Sequence, residues 1–368
     1  MKFTVAREVL LKPLQLAAGV VERRQTLPVL GNVLVSLQGG DLRVTGTDLE
    51  VEIRGTVSFP EAGDQGGAIT IPARKLLDIC RALPEGAAVS LAADTEHRIR
   101  IQSGRSRFTL STLPAEEFPE VEPEVGQLSF SIGQGTLKRV LEATSFAMAQ
   151  QDVRYYLNGM LWEITSGRLR VVATDGHRLA LANAAVEVEP EQRIQVILPR
   201  KGISELNRLL GQEGEIKVTM GTNHLSIECP DYRFTTKLVD GAYPDYERVV
   251  PIGGTKVLEG ERDTFRQAFS RTAILSNEKY RGVRLEMESG KLVVVANNPD
   301  QESAEEEVPV AYSGERLEVG FNVGYLLDVF NALSGSRVRL VLSDANSSVL
   351  LTDADSEQAL YVIMPMRL

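Results

Sequence analysis

The sequence predicts an α+β protein made of three tandem, pseudo-equivalent domains, each with two helices packed on antiparallel sheets. The first observation is a marker that occurs three times. Thr47-Asp48 closes the apolar run Leu42–Gly46, Thr174-Asp175 closes Leu169–Ala173, and Asn297-Asn298 closes Leu292–Ala296. The second is an independent marker, Ile71-Pro72-Ala73-Arg74-Lys75-Leu76-Leu77. It recurs as Leu198-Pro199-Arg200-Lys201-Gly202-Ile203 and as Phe321-Asn322-Val323-Gly324-Tyr325-Leu326-Leu327. Both markers repeat at offsets of 127 and then 123 residues. Periods of roughly 20–50 residues build solenoids; a period this long is a whole domain. The third observation is that each copy carries its elements in the same order.

Each copy opens with an amphipathic helix. In the first, Val9, Leu10, Leu14, Ala17, Ala18 and Val21 fall at helical spacing over Glu8–Val21. In the second the helix runs from Thr136 through Leu137, Val140, Leu141 and Thr144. In the third it runs from Asp263, an expected N-cap, through Phe265, Phe269 and Ile274. A strand pair follows: Asn32–Leu37 with Leu42–Thr47, Asn158–Ile164 with Leu169–Ala173, and Gly282–Met287 with Leu292–Ala296. Gly39-Gly40, Gly167 and Gly290 supply the positive φ that such hairpin turns need. A further strand leads to a second helix, at Ala73–Ala82, Lys201–Leu210 and Val323–Leu333. Each stops at a breaker: Pro84-Glu85-Gly86, Gly211, or Ser334-Gly335. Alternating strands close the copy, as in Val89–Leu91, Arg98–Gln102 and Arg107–Leu110. Pro- and acid-rich Pro119–Gly126 and Pro251-Ile252-Gly253-Gly254 mark the joints. The expected domains are therefore 1–126, 127–253 and 254–368.

The 368 residues are 43% hydrophobic and 24% charged, which places the chain among globular proteins able to bury real cores. Cys80 and Cys229 lie in different copies without CxxC spacing, as expected of a reduced cytoplasmic protein. The opening Met1-Lys2-Phe3-Thr4 leads into a stretch broken by Arg7, Glu8 and Lys12, which reads as strand then helix rather than signal peptide. No run approaches the roughly 18 apolar residues of a membrane span.

The net charge of −10 argues against nucleic acid unless the basic residues are segregated. They are. Helix faces carry Arg7 and Lys12; Arg74, Lys75 and Arg81; Lys138 and Arg139; Arg200, Lys201 and Arg208; and Arg262, Arg266 and Arg271. Arg23 and Arg24 follow the first helix. Acids collect elsewhere, at Glu116, Glu117, Glu120, Glu122 and Glu124 and at Glu302, Glu305, Glu306 and Glu307. The last helix, Val323–Leu333, has no Lys or Arg and carries Asp328, so the pattern is incomplete. A positive face suits the phosphate backbone, with contacts that weaken with salt and carry little sequence information. No recognition-helix or RNA-binding signature supports base readout.

Thr174-Asp175-Gly176-His177-Arg178 has the look of a catalytic cluster. No nucleophile, phosphate loop or metal-ligand spacing accompanies it, so neither an enzyme nor a metal or cofactor is expected. Asp175 has counterparts in Asp48 and Asn298, which makes it a turn residue.

Longer stretches then carry a resemblance: Thr26–Asn32, Ser103–Phe108, Gln151–Met160, Ala173–Leu179, Ile274–Lys279 and the terminal Met364-Pro365-Met366-Arg367-Leu368. In these and along its whole length the chain resembles the bacterial DNA sliding clamp family, the β subunits of the replicative DNA polymerase III. The resemblance implies a head-to-tail homodimer whose six domains form a ring, with helices toward duplex DNA, acting as a processivity factor in DNA replication. It implies a dimer interface of Lys75, Arg105, Arg107, Phe108 and Leu110 on one side with Ile274, Leu275, Glu302, Glu305 and Glu306 on the other. Phe108 and Ile274 taken alone read as ordinary core.

The family also implies a cleft for short peptides of the replicative polymerase, clamp loader and repair factors. The matching positions are Arg154, Leu157, Thr174, Gly176, His177, Arg178, Leu179, Pro244, Arg248 and Val249, completed by Tyr325, Ser348, Val362, Met364, Pro365, Met366 and Arg367. Met and Leu make an adaptable apolar surface; taken alone, Met364 and Met366 could equally finish a buried strand. DNA contacts carried over are Arg24, Arg74, Gln150, Gln151, Tyr155, Tyr156, Arg200 and Lys201, with Tyr155-Tyr156 alternatively packing under a loop. A DNA-independent peptide-binding scaffold is the competing reading, since it needs only the cleft.

Overall fold

The computed structural model describes residues 1–22, 27–58, 66–94, 97–121 and 126–367. Arg23, Arg24, Thr26, Glu122, Glu124 and Leu368 lie outside the described residues.

The three copies repeat one element order. The first runs β1 (Lys2–Ala6), α1 (Arg7–Ala18), β2 (Asn32–Gln38), β3 (Asp41–Thr47), β4 (Val51–Ser58), β5 (Gly67–Pro72), α2 (Ala73–Ala82), β6 (Ala88–Ala93), β7 (Arg98–Ser103) and β8 (Ser106–Ser111). The second runs β9 (Leu128–Gly133), α3 (Gln134–Glu142), β10 (Gly159–Thr165), β11 (Arg168–Thr174), β12 (Arg178–Ala185), β13 (Ile194–Pro199), α4 (Arg200–Leu209), β14 (Glu215–Met220), β15 (His224–Glu228) and β16 (Tyr232–Lys237). The third runs β17 (Lys256–Glu261), α5 (Arg262–Thr272), β18 (Gly282–Glu288), β19 (Lys291–Asn297), β20 (Ser303–Pro309), β21 (Leu317–Asn322), α6 (Val323–Ala332), β22 (Arg337–Leu342), β23 (Val349–Asp353) and β24 (Ser356–Ile363). Strands eight numbers apart are therefore counterparts.

Sheets ignore the copy boundaries. Strands β9-β14-β15-β16 of the second copy join β4-β3-β2-β5 of the first in one eight-stranded sheet. Strands β17-β22-β23-β24 of the third join β12-β11-β10-β13 of the second in another. Two four-stranded halves remain, β1-β6-β7-β8 and β20-β19-β18-β21. All pairings are antiparallel. By internal contacts the chain forms two compact units, Met1–Gln134 with Ser204–Leu238 and Gly135–Ile203 with Val239–Leu368. Each holds one four-stranded and one eight-stranded sheet, so the second copy is divided between them.

The helices are capped by tertiary contacts rather than by their own sequences. The first N–H of α1, α3 and α5 donates to a carbonyl in the loop after the copy's second helix: Arg7 to Ala87 (2.8 Å), Gln134 to Gly214 (2.9 Å) and Arg262 to Ser336 (2.8 Å). A backbone acceptor thus satisfies one of the orphan donors of the helix's first turn. Asp263 consequently sits inside the first turn of α5 rather than capping it, and the preceding Glu261 makes no side-chain cap. Helix α6 shows the side-chain solution, with Asn322 Oδ1 accepting from the Gly324 (2.8 Å) and Tyr325 (3.2 Å) amides. Helix α1 also ends earlier than the apolar spacing predicts, at Ala18, although Val20 and Val21 stay buried.

Arg7 and Arg262, grouped above with the basic helix faces, are structural. Arg7 Nε donates to the Cys80 carbonyl (2.7 Å) at the end of α2, and Arg262 Nη1 to the Leu333 carbonyl (2.9 Å) at the end of α6. Each closes an unsatisfied helix C-terminus with a cation, the favoured sign there. Leu10, Leu14, Leu76 and Cys80 fill the core between α1, α2 and their sheets. Burial raises the Cys80 thiol to about 11, so it behaves as an inert apolar side chain. Phe265, Phe269 and Phe330 interlock in the third copy with ring centroids 5.1–6.0 Å apart. Among the described residues no helix is long and apolar enough to cross a membrane.

Candidate functional site

The thrice-repeated marker is an Asx turn. Asp48 Oδ1 accepts from the Glu50 (2.9 Å) and Val51 (2.7 Å) amides; Asp175 Oδ1 accepts from His177 (2.9 Å) and Arg178 (3.1 Å). Asn298 Oδ1 accepts from Asp300 (3.1 Å) and Glu302 (3.0 Å), with one more residue in the turn. These bonds are local and self-sufficient. Asp175 Oδ2 also accepts from Arg178 Nε at 3.1 Å, so both carboxylate oxygens are used by the turn.

In the second copy this turn positions one wall of a cleft. Arg178 is only 11% exposed and is fully engaged. Its guanidinium binds Asp175, pairs with Asp328, donates to the Phe146 carbonyl (2.8 Å), and stacks between the Phe146 (5.2 Å) and Tyr325 (4.4 Å) rings. It thus braces the turn rather than presenting a free cation. Thr174 Oγ1 donates to the Arg178 carbonyl (2.6 Å), and the Thr174 amide donates to the Tyr243 hydroxyl (3.1 Å). Burial holds the Tyr243 phenol above its ordinary range, so it stays neutral as an acceptor.

The His177 carbonyl accepts from the Met364 amide at 2.9 Å, which ties the terminal segment to the turn. Met366 is tied to Gly320 by a second backbone bond of 2.8 Å. Strand β24 stops at Ile363, so Met364 (39% exposed) and Met366 follow the strand rather than finishing it. Exposed His177 and Met364 and half-buried Tyr325, Pro365 and Met366 line a cavity of about 290 Å³ together with Lys279, Tyr280 and Asn322. The last three were absent from the expected site; the Ile274–Lys279 stretch for Lys279 and Tyr280, and the repeated marker at Phe321–Leu327 for Asn322, were the available signals.

Beside this cavity lies an apolar surface built on the β12–β24 ladder, where Leu179 faces Val362 and Leu181 faces Leu360. Leu179, Leu181 and Val362 belong to a buried cluster with Tyr246, against which Tyr156, Val250, Leu350 and Leu360 pack. Ser348 sits partly buried in the turn before β23, while Pro244, Arg248 and Val249 are exposed around Tyr246. Arg248 pairs with Asp245 at 2.8 Å. Tyr246 is anchored below by the buried Glu163, whose oxygens accept its hydroxyl at 3.0–3.1 Å. Burial pushes the Glu163 carboxyl up, but bonds from Arg193 Nε (2.7 Å), Gln195 Nε2 (3.0 Å) and Tyr246 outweigh it and hold the group below its ordinary range. Leu157 is buried, and Arg154 lies outside it in an ion pair with Asp152 at 2.8 Å. Arg367 is exposed.

The expected DNA contacts divide. Arg74, Gln150, Gln151 and Tyr155 are exposed, and Lys201 is half-buried. Arg200 Nη1 donates to the carbonyls of Met148 (3.0 Å) and Ala149 (3.5 Å), so it organises the loop that carries Gln150 and Gln151. Tyr156 packs on the apolar cluster of the cleft, with Tyr155 edge-on to it at 5.8 Å. Arg24 lies outside the described residues.

Of the expected interface residues, Arg107, Phe108 and Leu110 lie on one open sheet edge and Glu305 and Glu306 on another. Among the described residues strand β8 pairs only with β7, and β20 only with β19. Edge β8 carries Arg107, Phe108 and Leu110, preceded by Arg105 in the turn and flanked in its half-sheet by Arg98 and Arg100. Lys75 is exposed on α2. Phe108 and Leu110 are half-buried against the core, but Ile274 is 77% exposed and is not core. Edge β20 carries Glu305 and Glu306 after Glu302 in the turn. Glu306 is held by Arg271 at 2.5 and 2.8 Å, which lowers its carboxyl below the ordinary range. Leu275 lies half-buried beside Ile274.

The N-terminal, central and C-terminal domains of the DNA polymerase III beta subunit family match residues 1–122, 131–245 and 247–367. Three matched domains in this order define the class, a subunit of a DNA polymerase. The chain is 57% identical to the beta sliding clamp of Pseudomonas aeruginosa and 52% identical to that of Escherichia coli, each over 100% of both chains. A crystal structure of the P. aeruginosa protein superposes with a TM-score of 0.98 at 57% identity over 100% of both chains. Another of that protein, bound to griselimycin, superposes with a TM-score of 0.96 at 57% identity over 100% of both chains. The chain belongs to the DNA polymerase III beta subunit family, the beta sliding clamps.

Proposed function

We propose that two copies of this chain close head to tail into a ring that encircles duplex DNA and tethers a polymerase to it. The observation that carries this reading is the pair of unfinished sheets. Within the chain, a β9-β14-β15-β16 half always meets a β4-type half to make eight strands. The remaining β8 and β20 edges are the counterparts of β16 and β4, and an open edge is a template for pairing. Pairing β8 with β20 of a second copy completes the pattern, and a heterologous contact that closes gives a ring.

The counterpart ladders also supply the register. Arg54 faces Arg233 and Ile53 faces Phe234 in β4–β16. Glu305 takes the place of Arg54, since Val295 pairs with it as Thr45 pairs with Arg54. Arg107 takes the place of Arg233, since Gln102 pairs with it as Glu228 pairs with Arg233. Across the dimer Arg107 then faces Glu305 and Phe108 faces Ala304. Opposed charges directly across a ladder stabilise it and like charges oppose it.

In this reading the repeated domains are 1–126, 127–253 and 254–368. Arg74, Gln150, Gln151, Tyr155 and Lys201 contribute weak contacts to DNA, and the cleft at His177, Leu179, Val362, Met364 and Met366 takes apolar anchors of partner peptides from the replicative polymerase, clamp loader and repair factors. The task is topological, needs no catalytic group, and is carried out in the cytoplasm. Sedimentation tests the closure: the protein runs at twice the chain mass, R107E raises the dimer dissociation constant at least tenfold, and R107E combined with E305R restores it. A charge reversal without effect, or a double variant no better than the single, contradicts the register.

A further inference from the structure

We infer that the first eight-stranded sheet carries a second copy of the partner groove that is kept shut to apolar ligands by charge. The ladders make the comparison position by position. The Asx turn at Asp48 leads into β4 as the turn at Asp175 leads into β12. Glu52 faces Thr235 where Leu179 faces Val362, and Arg54 faces Arg233 where Leu181 faces Leu360. One strand further, Ser226 lies beside Thr235 where Leu350 lies beside Val362. The Lys237 amide donates to the Glu50 carbonyl at 2.8 Å, as the Met364 amide does to His177 at 2.9 Å.

Six apolar positions of the partner groove, Leu179, Leu181, Leu350, Leu360, Val362 and Met364, are therefore Glu52, Arg54, Ser226, Arg233, Thr235 and Lys237 in the first sheet. The backbone that would form a groove is retained. A cavity of about 210 Å³ lies over these side chains, lined by Glu52, Arg54, Arg233 and Thr235 with Glu120 and Val121. The charges are interlocked: Arg54 Nη2 binds Glu120 (2.9 Å) and Glu52 (3.5 Å), and Glu52 Oε2 accepts from the Val121 amide (3.0 Å). An apolar anchor entering here would desolvate these groups without replacing their partners, a penalty that rejects it. The effect is one apolar peptide site per chain in a body whose repetition would otherwise offer two. Each chain can then hold one polymerase or loader peptide without a decoy.

This inference rests on the reading of the β12–β24 groove as the partner cleft, and griselimycin titrated calorimetrically into the full chain separates the two. The wild type is expected to take one molecule per chain. The variant E52L/R54L/R233L/K237M, checked for its fold by circular dichroism and melting, is expected to take a second. The reverse change L360R/V362T, which brings two first-sheet residues to the partner groove, is expected to weaken binding at least tenfold. A folded quadruple variant that still takes one molecule overturns the inference. If that variant does not fold, L360R/V362T decides, and unchanged affinity overturns it. A wild type that takes none at β12–β24 overturns the cleft reading itself and this inference with it.

Discussion

Gly176 turns the chain at φ +87°, and a Cβ placed there would meet Arg154 Nη2 at 3.1 Å. The first copy puts Leu49 at the same point with φ +79°, so a side chain is tolerated there at a cost in strain. Replacing Gly176 with Ala is expected to lower stability by about 1 kcal/mol, read by thermal melting; an unchanged melting temperature would mean that the turn accommodates a side chain without strain. Nearby, the Arg154 side-chain and backbone donors hold the Asp152 carboxyl down to about 2. A depressed folded value gives an interaction that is complete above the ordinary carboxylate range and is lost as pH falls through about 2. An NMR titration of the Asp152 carboxyl carbon is expected to show its midpoint there; a midpoint near the ordinary value would mean that Arg154 is free in solution. The turn role of Asp175 was legible from its counterparts Asp48 and Asn298. The bracing role of Arg178 was not, because Phe146, Tyr325 and Asp328 come from distant segments.

At the scale of elements, hairpins and second helices were legible because alternating and helical apolar spacings are local signals. The Ala73–Ala82 helix falls where the spacing predicts it. Capping was not legible, since Arg7 finds its acceptor at Ala87 across the whole copy. Nor were the exposed edges, because β8 and β20 alternate like any half-buried strand. Ile274, 77% exposed just after α5, is not core and is free to serve the proposed interface. The pair I274A/L275A is expected to weaken the dimer by about 1–3 kcal/mol per truncated side chain buried on association, with little change in the melting of the dilute monomer. Sedimentation equilibrium reads the first and circular dichroism the second. An unchanged dimer would remove these residues from the interface. Replacing Phe269 with Ala, inside the aromatic trio with Phe265 and Phe330, is expected to cost about 3–5 kcal/mol in denaturant unfolding.

At the scale of the molecule, triplication was legible from two markers at one period, but the sharing of sheets between copies was not. Strands β4 and β16 are far apart in sequence and meet only in the folded chain. That sharing explains why two compact units hold three copies, and why two half-sheets are left over. It also gives meaning to Glu52 and Arg54, charged residues in a strand interior that local pattern could not explain. In the proposed ring, weak, salt-sensitive contacts with DNA allow sliding only if a closed body prevents escape. Tethering then raises the effective concentration of polymerase at its substrate without tight binding. The direct measurement is retention on DNA: the protein is loaded on nicked circular duplex, isolated by gel filtration, and the DNA is then linearised. A topological ring stays on the circle and runs off the linear molecule; equal retention on both forms would contradict encirclement.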